Sequence, residues 1–340
     1  MASVEQPVAD FIDARLVADI GGTHCSFGIV LSPKQAQPQG VQWIQKLRVA
    51  DYPNIVAAVK SYLTTITKQN DQPNINIHQA CFAVATLVKG DQIAFTNNSW
   101  SFSIQQVQTA LGLDRLQVLN DFAALALSLP NLTANDMRMV SNHSSDAIKR
   151  DGTLAVVGPG TGLGVGGLVQ VDQRWIALSS EGGHVSLASA DPFESEIIRT
   201  VRNQYPHVSA ERLLSGIGMP LLYRSVALLN GAKVSELTSP EIIALGLTKS
   251  DAIADQTLDI FCAMLGGFCG NVVLTLGASS GLFIGGGIVP RLGERFFESA
   301  FLRRFVAKGR YESFLTTVPI ALISHPYPAL NGCALAIEQA

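Results

Sequence analysis

The chain has 340 residues, 47% of them hydrophobic and 15% charged, with a formal net charge of −3. That length exceeds one ordinary core and fits two domains, and the near-neutral charge offers no global basic field to nucleic acid. Fifteen Phe residues with abundant Val, Ile and Leu exclude disorder as the main state.

The opening "MASVEQPVADFIDAR" has no basic region followed by an apolar one, so it does not read as a secretory signal. "RLVADIGGTHCSFGIVL" then reads as strand, glycine-rich turn and strand. "YPNIVAAVKSYLTTITK" has the helical period, with Ile55, Val59, Tyr62, Leu63 and Ile66 on one stripe. "HQACFAVA" is a strand, and "AFTNNSWSF" places Asn97 and Asn98 in a turn between a strand and a helix. That helix, "SIQQVQTALG", ends at Gly112. "LQVLN" is a strand feeding the helix "FAALALSL", stopped by Pro130. Between them Asn120 and Asp121 interrupt two apolar runs. Those side chains suit a helix cap, and equally a carboxylate held at the mouth of a cleft.

Polar "TANDMRMVSNHSSDAIKRDG" reads as a connection, after which the pattern restarts. "GTLAVVGPGTGLGVGGLVQV" is again strand, Gly/Thr turn and strand. Set beside "LVADIGGTH", it is a weak internal repeat with a period near half the chain, which implies two similar domains. Strands alternating with helices throughout make the class α/β. The uncharged stretch between Asp259 and Arg291 is long enough to span a bilayer. Its eight glycines and scattered hydroxyls read instead as a buried helix, Leu258 to Leu276, then a strand, Gly281 to Ile284. No membrane partner and no nucleic-acid partner are expected. The five scattered cysteines show no metal-ligand spacing and read as reduced cytoplasmic thiols.

Glycine turns let backbone N–H groups approach an anion. The turns Gly21-Gly22-Thr23 and Gly160-Thr161-Gly162, with two threonine hydroxyls, suit a polyphosphate chain. Asp19, just before the first, suits Mg²⁺ held through water. "GLGVGG" at 162–167 matches GxGxxG, but strand-like residues follow it where a dinucleotide site needs a helix. No Gly-Lys dipeptide exists for a P-loop and no His-Arg-Asp loop for a protein kinase. A third run, Gly285, Gly286 and Gly287, permits either a flat base against backbone or close strand–helix packing. "SSEGGHVSL" brings Glu181 and His184 around two glycines. "HVSAERLLSG" places Glu211 in the first turn of a helix capped by Ser209. Singly these read as a polar turn and a carboxylate complementing a helix dipole. Together they suit a polyhydroxylated ligand, whose every hydroxyl both donates and accepts.

"DIGGT", "LNDFAALALSLP", "GPGTGLGVGGLV", "SSEGGHVSL", "HVSAERLLSG" and "FIGGGIVPR" resemble bacterial glucokinases, in order and over nearly the whole chain from Leu16. The resemblance implies two RNase H-like domains of the actin/hexokinase type around a central cleft. Its boundaries would be 14–131 plus 322–340 for the smaller domain, 132–321 for the larger, and 1–13 as an extension. It implies ATP-dependent phosphorylation of D-glucose to glucose 6-phosphate with Mg²⁺, by a cytoplasmic homodimer. Asp121 would be the base toward the 6-hydroxyl. Asn97, Asn120, Asp121, Glu181, His184 and Glu211 would bind the sugar. Asp19, Gly21, Gly22, Thr23, Gly160, Thr161, Gly162 and Gly285 to Gly287 would hold MgATP.

The chain departs from the family where Asn commonly follows "GGT" and Arg stands two residues beyond: here these are His24 and Ser26. A missing Arg removes a fixed cation near the phosphates. Two other readings therefore stand beside the first. One is a sugar-binding regulator with weak or no transfer. The other is a polyphosphate-dependent glucokinase, for which a basic groove by the first turn is expected and no Lys/Arg cluster is seen. No helix-turn-helix segment precedes "DIGGT", against a DNA-binding repressor.

Overall fold

In the computed structural model, the residues described are 12–31, 40–69, 75–95 and 98–340. They cluster into two compact units. One runs to Asn131 and regains the chain at Pro326–Ala340; the other is Leu132–His325.

The first unit comprises β1 (Ile12–Ile20), β2 (His24–Leu31), β3 (Gln42–Arg48), α1 (Ile55–Gln69), β4 (Ile75–Val84), β5 (Gln92–Ala94), β6 (Ser101–Ser103), α2 (Ile104–Leu111), β7 (Arg115–Asn120) and α3 (Asp121–Ser128). The main sheet has the order β3-β2-β1-β4-β7. β3, β2 and β1 are antiparallel, and β1, β4 and β7 are parallel. Period-two alternation sends Leu16, Ala18 and Ile20 to one face. There they bury against Ile55, Val59, Tyr62 and Ile66, the predicted stripe of α1. Each fully buried Leu, Ile or Val among them contributes about 1.5–3 kcal/mol. The C-terminal helix, Pro328–Glu338, packs on α3, β1 and β4, and its Cys333 thiol donates to the Ala18 carbonyl at 3.6 Å. α2 begins on Ser103, whose hydroxyl accepts the Gln106 N–H, and ends on Gly112 at φ 67°. β5 and β6 form a hairpin, so Asn98 lies in a connection between two strands and not between a strand and a helix. Asn97 lies outside the described residues.

The second unit comprises β8 (Met137–Met139), β9 (Leu154–Pro159), β10 (Leu163–Val171), β11 (Arg174–Ser180), α4 (Pro192–Arg202), α5 (Met219–Leu229), α6 (Ser239–Leu247), α7 (Ala252–Leu276), β12 (Gly281–Ile284), α8 (Ile288–Leu292), α9 (Glu294–Glu298), α10 (Phe301–Val306), α11 (Glu312–Thr316) and β13 (Ile320–Ile323). The sheet order is β11-β10-β9-β12-β13-β8. β11, β10 and β9 are antiparallel, and β9, β12 and β13 parallel. These five strands repeat the connectivity and directions of the first unit's sheet, so the sequence repeat is a repeat of topology.

Three expectations change in detail. The polar segment taken as a connection contains β8, which pairs antiparallel with β13 and forms the sheet's edge. Leu322 and Ile323 belong to β13, and the chain regains the first unit only at Pro326. The long apolar helix α7 starts at Ala252, six residues earlier than expected, because the Asp251 carboxylate accepts the Ile253 and Ala254 N–H groups. By length and composition α7 could cross a membrane, but 67% of its apolar window is buried. Phe261, Leu265 and Phe268 sit in the unit's core.

Candidate functional site

In the first unit, Ile20, Val84 and Asn120 stand level on the parallel strands β1, β4 and β7. The turn at 21–23 and the start of α3 therefore leave the same end of the sheet. Open α/β sheets bind ligands beyond the carboxyl ends of their parallel strands. Asn120 is the N-cap of α3: its Oδ1 accepts the Phe122 N–H at 2.9 Å, while its amide donates to the Thr86 carbonyl at 3.2 Å. One side chain thus closes the helix and ties β7 to the segment after β4. The half-buried Asp121 also accepts the Phe122 N–H, at 2.9 Å, which orients its carboxylate.

Asp19 is half-buried in the middle of this edge. Burial pushes its carboxyl up from 3.8 to about 6, the negative charge of Asp121 adds to the rise, and the Lys46 ammonium opposes it. Two carboxylates that feel each other in one partly desolvated place suit a hard divalent cation, which prefers carboxylate and water oxygens. Among the described residues no cluster of three or more His, Cys, Asp or Glu could hold a metal alone. An ion here would draw its remaining ligands from water and a bound anion.

The turn after β1 closes on itself, with the Gly21 N–H on the His24 carbonyl at 2.9 Å. It is braced by Asn98, whose amide donates to the Gly21 carbonyl at 3.1 Å and whose Oδ1 accepts the Trp100 N–H at 2.7 Å. The resemblance points to Asn97 of the "NN" pair for the ligand, and nothing in two identical residues marks the second as the brace.

The second unit assembles Glu181, His184 and Glu211. Residues 182–184 form a single 3₁₀ turn after β11. The Ala210 N–H donates to the Val185 carbonyl and the Glu211 N–H to the Gly183 carbonyl. This lays Glu211 beside His184. The imidazole Nε2 lies 3.8 Å from Glu211 Oε1 and 3.9 Å from Glu181 Oε2. Glu181 and His184 are exposed (59% and 58% of the side chain), whereas Glu211 is the recessed member at 23%.

Glu211 is not in the first turn of a helix. Residues 209–218 form successive turns, and α5 begins only at Met219 with Pro220 in its first turn. Ser209 still acts locally as expected, its hydroxyl accepting the Arg212 N–H at 3.2 Å. The Ser215 hydroxyl diverts the backbone, donating to the Glu211 carbonyl and accepting the Gly218 N–H. Such local side-chain bonds compete with helix.

This looped segment is stitched to the turn between β9 and β10. Gly216 N–H donates to the Gly160 carbonyl, Ile217 N–H to the Thr161 carbonyl, and Glu211 Oε2 accepts the Leu163 N–H at 2.8 Å. A Cβ on Gly162 would collide with the Glu211 carboxylate. Gly285 continues the β12–β9 ladder through its N–H to Val157. Gly286, at φ 75°, lies where a Cβ would strike the Pro159 carbonyl. Close packing accounts for Gly286 directly, and the exposed backbone of Gly286 and Gly287 borders the 160–162 turn through β9.

A basic element by the first turn also emerges. No Lys/Arg cluster is evident there in the sequence, but β3 pairs with β2 so that Arg48 stands opposite His24 and Lys46 opposite Ser26. The charges are remote in sequence and adjacent in the sheet.

The glucokinase family model matches residues 16–340. A glucokinase of Aromatoleum aromaticum is 42% identical over 326 residues, covering 96% of this chain and 95% of that protein. The chain spans about half the length (48%) of the first curated relatives it matches, bifunctional proteins of Burkholderia at 40% identity. Among solved structures, a glucokinase from an Antarctic psychrotroph is 35% identical with a TM-score of 0.86, covering 96% of this chain and 99% of that one. A Streptomyces griseus glucokinase crystallised with glucose and AMPPNP shares the fold at 16% identity and a TM-score of 0.61, over 96% of this chain and 100% of that one.

Proposed function

Because this chain belongs to the glucokinase family, we propose that it phosphorylates D-glucose at the 6-hydroxyl with ATP as donor. The observation that carries the reading is the carboxylate pair at the end of the parallel strands, Asp121 oriented on α3 and Asp19 at the foot of the glycine turn. In this reading Asp121 accepts the proton of the 6-hydroxyl as that oxygen forms its bond to the γ-phosphorus. The bond from phosphorus to the β–γ bridging oxygen breaks, and ADP leaves with that electron pair. A base in this role contributes ~10²–10⁴-fold, the rest being positioning and charge neutralisation.

Asn120 binds the sugar with its remaining amide hydrogen, and Asn97 is assigned there by resemblance. Glu181, His184 and Glu211 take the other hydroxyls, Glu211 most strongly because it is recessed and already oriented by the Leu163 N–H. Phosphates are received by the Gly22 and Thr23 N–H groups, the Thr23 hydroxyl and the 160–162 turn. The Gly21 N–H serves the turn's own closure. Gly285, Gly286 and Gly287 offer backbone to the adenosine. Asp19 would hold Mg²⁺ through water, and the ion would neutralise phosphate charge.

ATP is preferred over polyphosphate as donor because, among the described residues, strand pairing brings two cations to the first turn, Lys46 and Arg48, against the longer groove a polymer needs. The five cysteines are free and buried, which fits a reducing cytoplasm. A homodimer is the expected assembly, open to sedimentation. The test is steady-state product formation from glucose with MgATP and, separately, with magnesium polyphosphate. Turnover with ATP supports the reading, and turnover with polyphosphate alone replaces the donor. Glucose binding without turnover on either moves the chain to the sugar-binding regulators.

A further inference from the structure

The row of the first sheet that contains Asp19 holds a second feature. Asp19 on β1 pairs with Ser26 on β2, and Ser26 pairs with Lys46 on β3. Directly opposed residues project to the same face, so Lys46, Ser26 and Asp19 form one line across it. Arg48 and His24 form the adjoining row nearer the glycine turn. On the opposite face Cys25, Phe27 and Leu47 pack into the unit's core.

Lys46 and Asp19 are two strand spacings apart, ~9.5 Å along the sheet. A four-carbon stem leaning one way and a carboxylate the other close that gap only if the residue between is small. Ser26 is small and buried, whereas Lys46 is exposed. Among the described residues Lys46 makes no ion pair within 4 Å. A lysine needed only to neutralise Asp19 would close on it. This one stands back, over a row that ends beside a turn suited to anions.

We propose that Lys46, reaching across Ser26 from the neighbouring strand, binds the terminal phosphates of the nucleoside triphosphate donor and supplies from β3 the fixed cation that position 26 lacks. The proposal rests on the sugar-kinase reading above. Arg48, one row nearer the turn, flanks the same anion.

The test is steady-state kinetics on the full chain for Lys46→Met, Lys46→Arg and the double variant Lys46→Met/Ser26→Arg. A charge-assisted contact to phosphate predicts a rise in the KM for MgATP of about 10–100-fold in Lys46→Met, with the KM for glucose moving less than about twofold. Lys46→Arg keeps most of the affinity. Lys46→Met/Ser26→Arg recovers it, because the cation returns to the same row from β2. A merely structural lysine moves both KM values together with thermal stability and is not rescued by Ser26→Arg. That outcome, or an unchanged KM for MgATP, overturns the proposal. Wild-type turnover in the same assay separates the two readings: without it the kinase reading itself fails, whereas turnover with an unaltered ATP dependence in Lys46→Met removes only this one.

Discussion

Asp19→Asn should stabilise the protein while impairing it. The carboxyl titrates at about 6 in the fold against 3.8 as its ordinary value, through burial and the Asp121 charge with Lys46 opposing. At ~1.4 kcal/mol per pH unit, the folded protein bears a cost of about 3 kcal/mol for keeping Asp19 ionised. The folded state holds this proton more tightly than the unfolded one. Stability therefore falls as pH rises from about 4 to 6, and the full cost applies above that window. Asparagine keeps the shape and removes the charge. Urea titrations at pH 4, 5, 6 and 7.5 should show Asp19→Asn gaining up to about 3 kcal/mol over wild type at pH 7.5, with the gain fading toward pH 4. In a thermal scan this corresponds to ~2–4 °C per kcal/mol for a unit of this size. Turnover should fall in the same variant, since Asp19 would hold the metal. A gain equal at pH 4 and pH 7.5, or a pH-independent loss, would refute the reasoning that Asp19 is an ionised group held at a cost for function.

Glu211→Gln should raise the Kd for glucose about 10–100-fold, the scale of one lost charge-assisted bond, with little change in ATP binding by calorimetry; the reverse pattern would remove Glu211 from the sugar. Gly162→Ala drives a Cβ into the Glu211 carboxylate, so it should weaken glucose binding by roughly tenfold without removing any sugar-binding group, and an unchanged Kd would show that the turn yields. Asn98→Ala deletes the amide that braces Gly21 and should cost about 1–2 kcal/mol of stability. It should also raise the KM for MgATP, and an unaltered KM would make the brace purely structural.

Features that depend on local pattern were readable without coordinates. The apolar run Leu16-Val17-Ala18 before the glycine turn marked β1. The 3.6 period through Val59 and Ile66 marked α1, and the repeated Gly-Gly-Thr and Gly-Thr-Gly turns marked two sheets of one topology. Asn120 served both readings placed on it at the local level, since it caps α3 while sitting beside Asp121 at the open edge. Features that depend on long-range pairing were hidden. β8 is three residues in a polar stretch and is a strand only because β13 pairs with it. Glu211 looked helical by its neighbours, until Ser215, Gly218 and the turn at Gly160 are allowed to compete for the backbone. Lys46 and Arg48 lay 20 and more residues from the turn they flank, and only strand register carries them there.

The most direct test of the central claim compares wild type with Asp121→Asn for glucose 6-phosphate formation from glucose and MgATP, alongside the calorimetric Kd for glucose. The account predicts turnover in the wild type, a loss of ~10²–10⁴-fold in kcat in the variant, and a Kd for glucose within a few-fold of wild type. A variant that turns over at the wild-type rate, or one whose loss is entirely in glucose binding, would contradict Asp121 as the base.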